Sequence, residues 1–207
     1  MKKENAGEHH TKFGTFDLHT FFDGEHEHPV LTLGDLENAE DVLCRVSSEC
    51  LPGTVLGSAE CDCKEQLEAS MQMVQDAKQG IVIYLLGHEG RGHGLEHKIG
   101  VLNFKQMGYD TFTAIEAFNN SIGKPEVPID VRDWSMVKPI LDSFGIKSIS
   151  CITNSPDKMK CLEDAGVNVT SVANIPVTPT EISHRHLLAK RARGHNVVFT
   201  GDKESIS

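Results

Sequence analysis

Residues 61–94, CDCKEQLEASMQMVQDAKQGIVIYLLGHEGRGHG, carry the reading of the fold. Leu67, Met71 and Val74 stand at i, i+4 and i+7, one face of a helix. Asp62 with Glu65 three residues on reads as a capping box, which starts that helix at the cysteine pair. Gly80 reads as its end. IVIYLL (81–86) then reads as a buried strand, and the glycine-rich GHEGRGHG (87–94) as a loop. A second helix follows, with Leu95, Ile99 and Leu102 on one face.

Upstream of this unit the chain reads as β. FGTFDLHTFF, HPVLTLGDL and DVLCRVSSE are strands, with turns at Asp23-Gly24 and Gly34-Asp35. Downstream the helix–strand order repeats. Val137, Ile140, Leu141 and Phe144 mark a helix, SISCIT a strand, NSPDK a loop, 158–165 a helix closed by Gly166, and VNVTSV a strand. The prediction is an α/β fold: a mixed β-sheet flanked by helices, with a β-rich N-terminal part followed by alternating helices and strands. Ligands of such sheets gather beyond the carboxyl ends of the strands, where GHEGRGHG and TNSPDK fall.

With 207 residues, 39% hydrophobic and 24% charged, the composition is that of a soluble globular chain large enough for a core. The net charge of −10 argues against non-specific binding to nucleic acid or to anionic membranes. A polyanionic small molecule remains compatible if Arg, Lys or a metal offsets the field locally. The longest apolar run, 81–86, is too short to span a bilayer. The opening MKKENAGEHH has no apolar segment behind its lysines, so no secretion signal is read and a cytoplasmic location is expected.

In a cytosolic chain, six cysteines point to thiols or metal ligands before disulfides. Cys44, Cys151 and Cys161 have apolar neighbours and read as small buried hydrophobes. Cys50, Cys61 and Cys63 instead cluster as C-x10-C-x-C. Three ligands leave one position on a zinc ion for water, the arrangement of a catalytic site, where zinc lowers the pKa of that water to about 7. Spacing alone leaves two other readings open: a site closed by one of the eleven histidines, or three free thiols. His9, His10, His26 and His28 lie in a polar region and are expected in solvent. His88, His93 and His97 flank the glycine-rich loop, and the separation of His93 from His97 suits a metal on a helix.

The segment 45–99, RVSSECLPGTVLGSAECDCKEQLEASMQMVQDAKQGIVIYLLGHEGRGHGLEHKI, resembles GTP cyclohydrolase II. The specific part is SEC, then CDC, a Gln three residues on, a helix, a strand and EGRGxGL. The likeness runs on through GYDT (108–111), DVRD (130–133) and TNSPDK (153–158), and thins in a tail that carries HLLAK and GH. It implies a disordered extension over 1–12, one domain over 13–195 and a C-terminal tail over 196–207.

The resemblance also implies hydrolysis of GTP that opens the guanine imidazole ring. Formate leaves from C8, pyrophosphate leaves from the triphosphate, and a diaminopyrimidinone ribonucleotide remains, the first step of riboflavin biosynthesis. One zinc ion per chain is implied on Cys50, Cys61 and Cys63. Substrate contacts are implied at Arg45, Val46, Ser47, Ser48, Glu49, Gln66, Glu89, Gly90, Arg91, Thr111, Thr153 and Lys158. Asp130 matches the general base of the family, and Arg132 its nucleophile toward the α-phosphate. Electrostatic stabilisation is the simpler task for an always-protonated guanidinium. A magnesium ion on the triphosphate and a homodimer complete what is implied, with no nucleic-acid or membrane partner.

Several positions depart from the family pattern. Glu60 stands where the family has Arg before CDC, Leu102 where it has Tyr, Ser47 where it has His, and Gly87-His88 where it has Arg-Gln. The stretch between Thr111 and Asp130 is longer, with IGKPEVP inserted. These changes surround the base and the metal, while the phosphate side is intact. Two alternatives therefore stand beside the main reading. One is a divergent paralogue that keeps the formyl group or takes another nucleotide. The other is an inactive nucleotide-binding zinc protein.

Overall fold

The computed structural model describes residues 3–200. Seven strands form one mixed sheet: β1 (Lys3–Thr11), β2 (Gly14–Phe22), β3 (Glu27–Leu33), β4 (Val42–Ser48), β5 (Gly80–Leu85), β6 (Ile149–Ile152) and β7 (Val169–Ala173). Their order across the sheet is β1-β2-β3-β5-β4-β6-β7. β1, β2, β3 and β5 are joined antiparallel, while β5, β4, β6 and β7 run parallel. The composition of each half explains this. β3 alternates, fully burying His28, Val30 and Thr32 on one face, while Leu31 and Leu33 on the other pack partly buried against a second cluster. β5 is buried almost throughout, as suits a central strand covered on both sides.

Helices α1 (Leu51–Thr54), α2 (Cys63–Ala77), α3 (Gly94–Gln106), α4 (Thr111–Ser121), α5 (Val137–Ser143), α6 (Pro156–Asp164) and α7 (Glu181–Ala192) complete the chain. Met71 and Val74 of α2 pack with Phe16, Val82 and Ile152 in one cluster. Val137, Ile140 and Leu141 of α5 and Leu162 of α6 join Val46, Ile83 and Ile149 in the other. The parallel half is thus a two-faced layer, and its carboxyl ends are left for the loops that bear the polar motifs. α3 and α4 form a separate pair around Val101, Ala114 and Ile115.

The element order agrees with the sequence reading, and the differences have local causes. Residues 3–11 are not a disordered extension, because they pair with β2 along its length. Asp62 is the N-cap of α2, yet its side chain makes no cap bond, being drawn instead to Gln66 and Lys190. α2 ends when Lys78 turns left-handed (φ 59°), and Gly80 opens β5. Gly80 is needed for closeness: a Cβ there would stand 2.8 Å from the Leu43 carbonyl oxygen. α6 starts at Pro156, earlier than expected, because Ser155 caps it by accepting from the Lys158 N–H.

α3 does not bury the Leu95–Ile99–Leu102 stripe, and Ile99 is 53% exposed. Its inward side is Val101 with Phe104, beside Gly100, where a Cβ would meet the Phe118 ring at 2.1 Å. A glycine contact of this kind leaves no mark in hydrophobic periodicity. α4, capped by Asp110, and α7, capped by Thr180 and Ser183, were not anticipated. His28 is buried rather than solvated, between Asp23 Oδ2 (2.9 Å) and the Leu86 N–H (3.1 Å). Of the expected tail, 196–200 are packed: Asn196 donates to the Asn154 carbonyl and Phe199 bridges Val177. Residues 1–2 and 201–207 lie outside the described range.

Candidate active site

A cavity of about 270 Å³ opens at the carboxyl ends of β4, β5 and β6. From β4 and the turn after it come Arg45, Ser47, Ser48, Glu49 and Cys50. The loop after β5 supplies His88, Glu89, Gly90 and Arg91, the loop after β6 supplies Thr153, Asn154 and Ser155, and the first turn of α6 supplies Lys158. Cys61, Cys63, Gln66, Thr111 and Arg132 complete the set named from sequence. Two of those residues do not line the cavity. Val46 is fully buried and contributes only its carbonyl, which accepts from Lys158 Nζ at 2.8 Å. Asp130 stands behind the wall and holds Arg132.

The three cysteines converge, with all Sγ atoms within 4.8 Å of one another. Cys50 caps α1, its N–H donating to the Tyr84 hydroxyl at 3.1 Å, and Cys63 is the first residue of α2. Among the described residues no histidine or carboxylate joins the cluster. Gly53 forms its floor, where a Cβ would stand 2.6 Å from Cys61 Sγ and 2.8 Å from Cys50 Sγ. Cys61 and Cys63 hydrogen bonds, with Lys98 Nζ at 3.0 Å, hold the Cys50 thiol far below its ordinary value. The anion on Cys50 in turn raises Cys61 and Cys63. Three sulfurs sharing protons around one point form a donor set that a metal ion can occupy, displacing those protons as it binds.

Seven Lys or Arg side chains line the cavity against three carboxylates, in a chain whose net charge is −10. Arg45 is buried, donating to Ser47 Oγ (3.1 Å), the Ile152 carbonyl (3.0 Å) and Gln66 Oε1 (2.7 Å). Lys158 lies over the Trp134 ring at 5.3 Å. Burial lowers the pKa of both, and the neighbouring cations add to this at Lys158. Among the described residues neither pairs with a carboxylate. Buried cations without counter-charges favour an anionic ligand.

Arg132 is gripped from two sides. Its Nε donates to Asp130 Oδ1 at 2.8 Å and its Nη2 to Oδ2 at 2.5 Å, while Nη1 donates to Ser48 Oγ at 3.1 Å. Arg91 Nη1 reaches the same carboxylate at 3.2 Å. Burial by itself would raise Asp130, but Arg132 and Arg91 outweigh it and keep the group below the usual carboxylate value. Arg91 is held at φ 64° between Gly90 and Gly92. Val131 closes on this turn through an N–H bond to the Arg91 carbonyl at 3.0 Å.

Sequence reasoning missed Lys98, Lys105, Asp62, Lys190 and His195, all on the cavity wall. Lys98 links the thiol cluster to the loop, 3.0 Å from Cys50 Sγ and 2.6 Å from Glu89 Oε1. Lys190 and His195 belong to the HLLAK and GH tail, and Lys190 pairs with Asp62 at 3.2 Å. Glu60 does not face the main cavity. It lines an adjoining cleft with Lys105, so the reversed charge meets a lysine that borders both spaces. His93 and His97 stack at 4.5 Å, but each Nε2 is bound to protein oxygen, at Pro128 and Asn119. The inserted segment is fastened to the N-cap of α3 through His93 and Pro128, and to α4 through Asn119 Nδ2, which donates to the Val127 carbonyl.

The family model described as GTP cyclohydrolase II matches residues 2–174. The chain is 40% identical over 191 residues to "Riboflavin biosynthesis protein RibBA" of Salinispora arenicola, covering 92% of this chain but only 44% of that protein. It therefore spans less than half the length of that relative. It is 40% identical over 187 residues to "GTP cyclohydrolase-2" of Neisseria meningitidis, covering 89% of this chain and 91% of the relative. The corresponding protein of Neisseria gonorrhoeae is 38% identical over the same span. With three thiols, a ring of cations and a matching model over most of its length, the chain belongs to the GTP cyclohydrolase II family.

Proposed function

We propose that this protein hydrolyses GTP, releasing formate and pyrophosphate, in the first step of riboflavin biosynthesis. The observation that carries this reading is the adjacency of two unlike surfaces in one cavity, a three-thiol cluster and a wall of seven cations, of which Arg45, Lys105 and Lys158 have no carboxylate ion pair among the described residues. A purine triphosphate needs both: a place to open a ring and a place to hold polyphosphate. The balance is one GTP and three waters. One water adds at C8 and opens the ring to a formamide, a second releases formate, and a third replaces pyrophosphate on the α-phosphorus.

A zinc ion held by Cys50, Cys61 and Cys63 would supply, when bound, Lewis-acid activation of water at C8. Lys98, at 3.0 Å from Cys50, offsets the charge of the thiolates, and Glu89 anchors that lysine. Gln66 and Glu49 offer amide and carboxylate groups to the guanine edge. Arg45, Arg91 and Lys158 take the phosphates, with magnesium on the triphosphate. Arg132 acts by electrostatic stabilisation of the α-phosphoryl transition state. A paired, depressed Asp130 is a poor base for a guanidinium; with ordinary values that transfer costs roughly 12 kcal/mol. Asp130 is better assigned to aiming Arg132.

A second reading, retention of the formyl group, is favoured by one observation. α3 presents His97, Lys98, Val101 and Lys105 to the cavity, with no phenol, and the Tyr84 hydroxyl is tied to Cys50 and Thr54. One assay separates the readings: zinc-loaded protein with GTP and magnesium, followed by quantification of formate, pyrophosphate and the pyrimidine by mass. Formate and pyrophosphate in equal amounts support the main reading. Pyrophosphate with a formylated product supports the second, and binding without turnover sinks both. We further infer a cytoplasmic homodimer. No helix among the described residues is long and apolar enough to cross a membrane, and Val55, Leu56 and Ile99 leave apolar surface exposed.

A further inference from the structure

We propose that His88 is a positioning residue for the phosphate side of the site: acting through Ser48, it fixes the orientation in which Arg132 meets the α-phosphate. The proposal rests on the assignment of Arg132 to that phosphate.

The directions at both ends of this chain of contacts are forced, because a carbonyl oxygen can only accept and a guanidinium can only donate. His88 Nε2 lies 2.7 Å from the Asp133 carbonyl oxygen, which can only accept, so Nε2 carries a proton. The ring is neutral: burial, with Arg132, Lys158 and His28 nearby, pushes its pKa down to about 4, although the Asp133 bond opposes this. Nδ1 is then a bare acceptor. It lies 3.2 Å from Ser48 Oγ and takes the Ser48 hydroxyl proton. With that proton committed, Ser48 Oγ turns a lone pair to Arg132 Nη1 at 3.1 Å. A serine free to rotate could point its proton at the guanidinium instead, and His88 removes that option.

Trp134 locks both ends of the relay. His88 meets its ring edge-on at 4.9 Å and 77°, and the Arg132 guanidinium lies 5.0 Å from the same ring. Asp130 already takes Nε and Nη2, so the Ser48 bond fixes the third nitrogen. Of the five N–H donors of the guanidinium, three are then committed within the protein and two remain for the ligand.

The test compares His88→Leu, His88→Gln and Ser48→Ala for pyrophosphate release from GTP by the zinc-loaded chain, with melting temperature recorded for each. Leucine keeps bulk and loses both bonds; glutamine can donate to Asp133 and accept from Ser48. We expect His88→Leu to lower kcat about tenfold or more with KM within about threefold, and His88→Gln to restore most of it. In the Ser48→Ala background, changing His88 to Leu should add little further loss. A His88→Leu enzyme at wild-type kcat, a glutamine variant no better than leucine, or full additivity with Ser48→Ala overturns the relay. If leucine unfolds the chain, His88→Met, which also lacks both bonds, carries the same comparison alone and in the Ser48→Ala background. Wild-type protein that releases no pyrophosphate overturns the proposed function and the relay with it. Wild-type release with an indifferent His88 overturns only the relay.

Discussion

Gly53 and Cys61 are packed so closely that a methyl group on the glycine would stand 2.6 Å from the cysteine sulfur. The same methyl would stand 2.8 Å from Cys50 Sγ. The absence of a side chain at this point is therefore part of what lets the three thiols converge. Gly53→Ala should lower metal affinity by roughly 10- to 100-fold, the range seen when groups supporting a metal site are disturbed. Bound zinc measured against a competing chelator checks this, with far-UV circular dichroism as the control for folding. Undiminished zinc affinity would refute it.

Lys98 approaches the same cluster from α3. Its ammonium is held charged by Glu89 and Cys50 despite burial, which acts in the opposite sense. Lys98→Met should leave excess negative charge around the metal and a carboxylate of Glu89 without its partner. The expected outcome is a fall in turnover of about 100-fold, with the metal retained at saturating zinc. Steady-state kinetics beside metal analysis will show whether the two effects separate in this way.

Removing the Arg132 guanidinium should reduce pyrophosphate release by at least about 100-fold. Arg132→Lys should not restore it, because a lysine cannot fill the two-pronged contact with Asp130 while also reaching Ser48. Single-turnover assays of pyrophosphate report this directly. Wild-type rates in either variant would remove Arg132 from the mechanism.

The ion pair between Lys190 and buried Asp62 ties α7 to the start of α2. Burial raises the Asp62 pKa, but Lys190 and the Gln66 bond outweigh it, so the folded value lies below the ordinary one. A depressed carboxylate contributes stability in full above its unfolded value, about 3.9, and loses it as pH falls through the folded value. Lys190→Met should therefore destabilise by roughly 1–3 kcal/mol at neutral pH, with the gap to wild type closing below about pH 4. Denaturant unfolding at several pH values measures that gap. A gap that stays constant into acid would show that the pair is not its source.

Gly100→Ala should loosen the α3–α4 pair, since the added Cβ would lie 2.1 Å from the Phe118 ring. Overpacking of this kind costs about 1–3 kcal/mol. Because Lys98 and Lys105 ride on α3, activity should fall together with the melting temperature. An unchanged melting temperature would mean that Phe118 moves aside freely.

Most of the sheet was legible from the chain. Period-two alternation in β3, the continuous apolar run of β5 and the glycine-bounded helices all express local backbone preference and burial. β1 was not, because KENAGEHHT carries no apolar alternation and is a strand only through its pairing with β2. α4 and α7 were missed for a similar reason: their caps are clear, but only tertiary packing distinguishes their buried sides.

The residues that lie in motifs at strand ends are identifiable from the chain alone, including the three cysteines, Arg45, Glu89, Arg91 and Lys158. Their chemistry follows from residue type and their approximate location from the strand–loop–helix order. What the linear chain leaves undetermined is the pairing of charges. Ser48 and Arg132 are 84 positions apart, and Asp62 and Lys190 are 128 apart. Such contacts depend on how the sheet, α3 and α7 pack together. The sequence by itself determined a family, a donor set and a place at the carboxyl ends of the strands. The tertiary structure decided that Asp130 stands behind Arg132, that Lys98 faces the thiolate and that α7 completes the wall. The reason is that local periodicity is set by neighbours a few residues away, whereas burial of a charge is settled by whichever partner the fold brings to it.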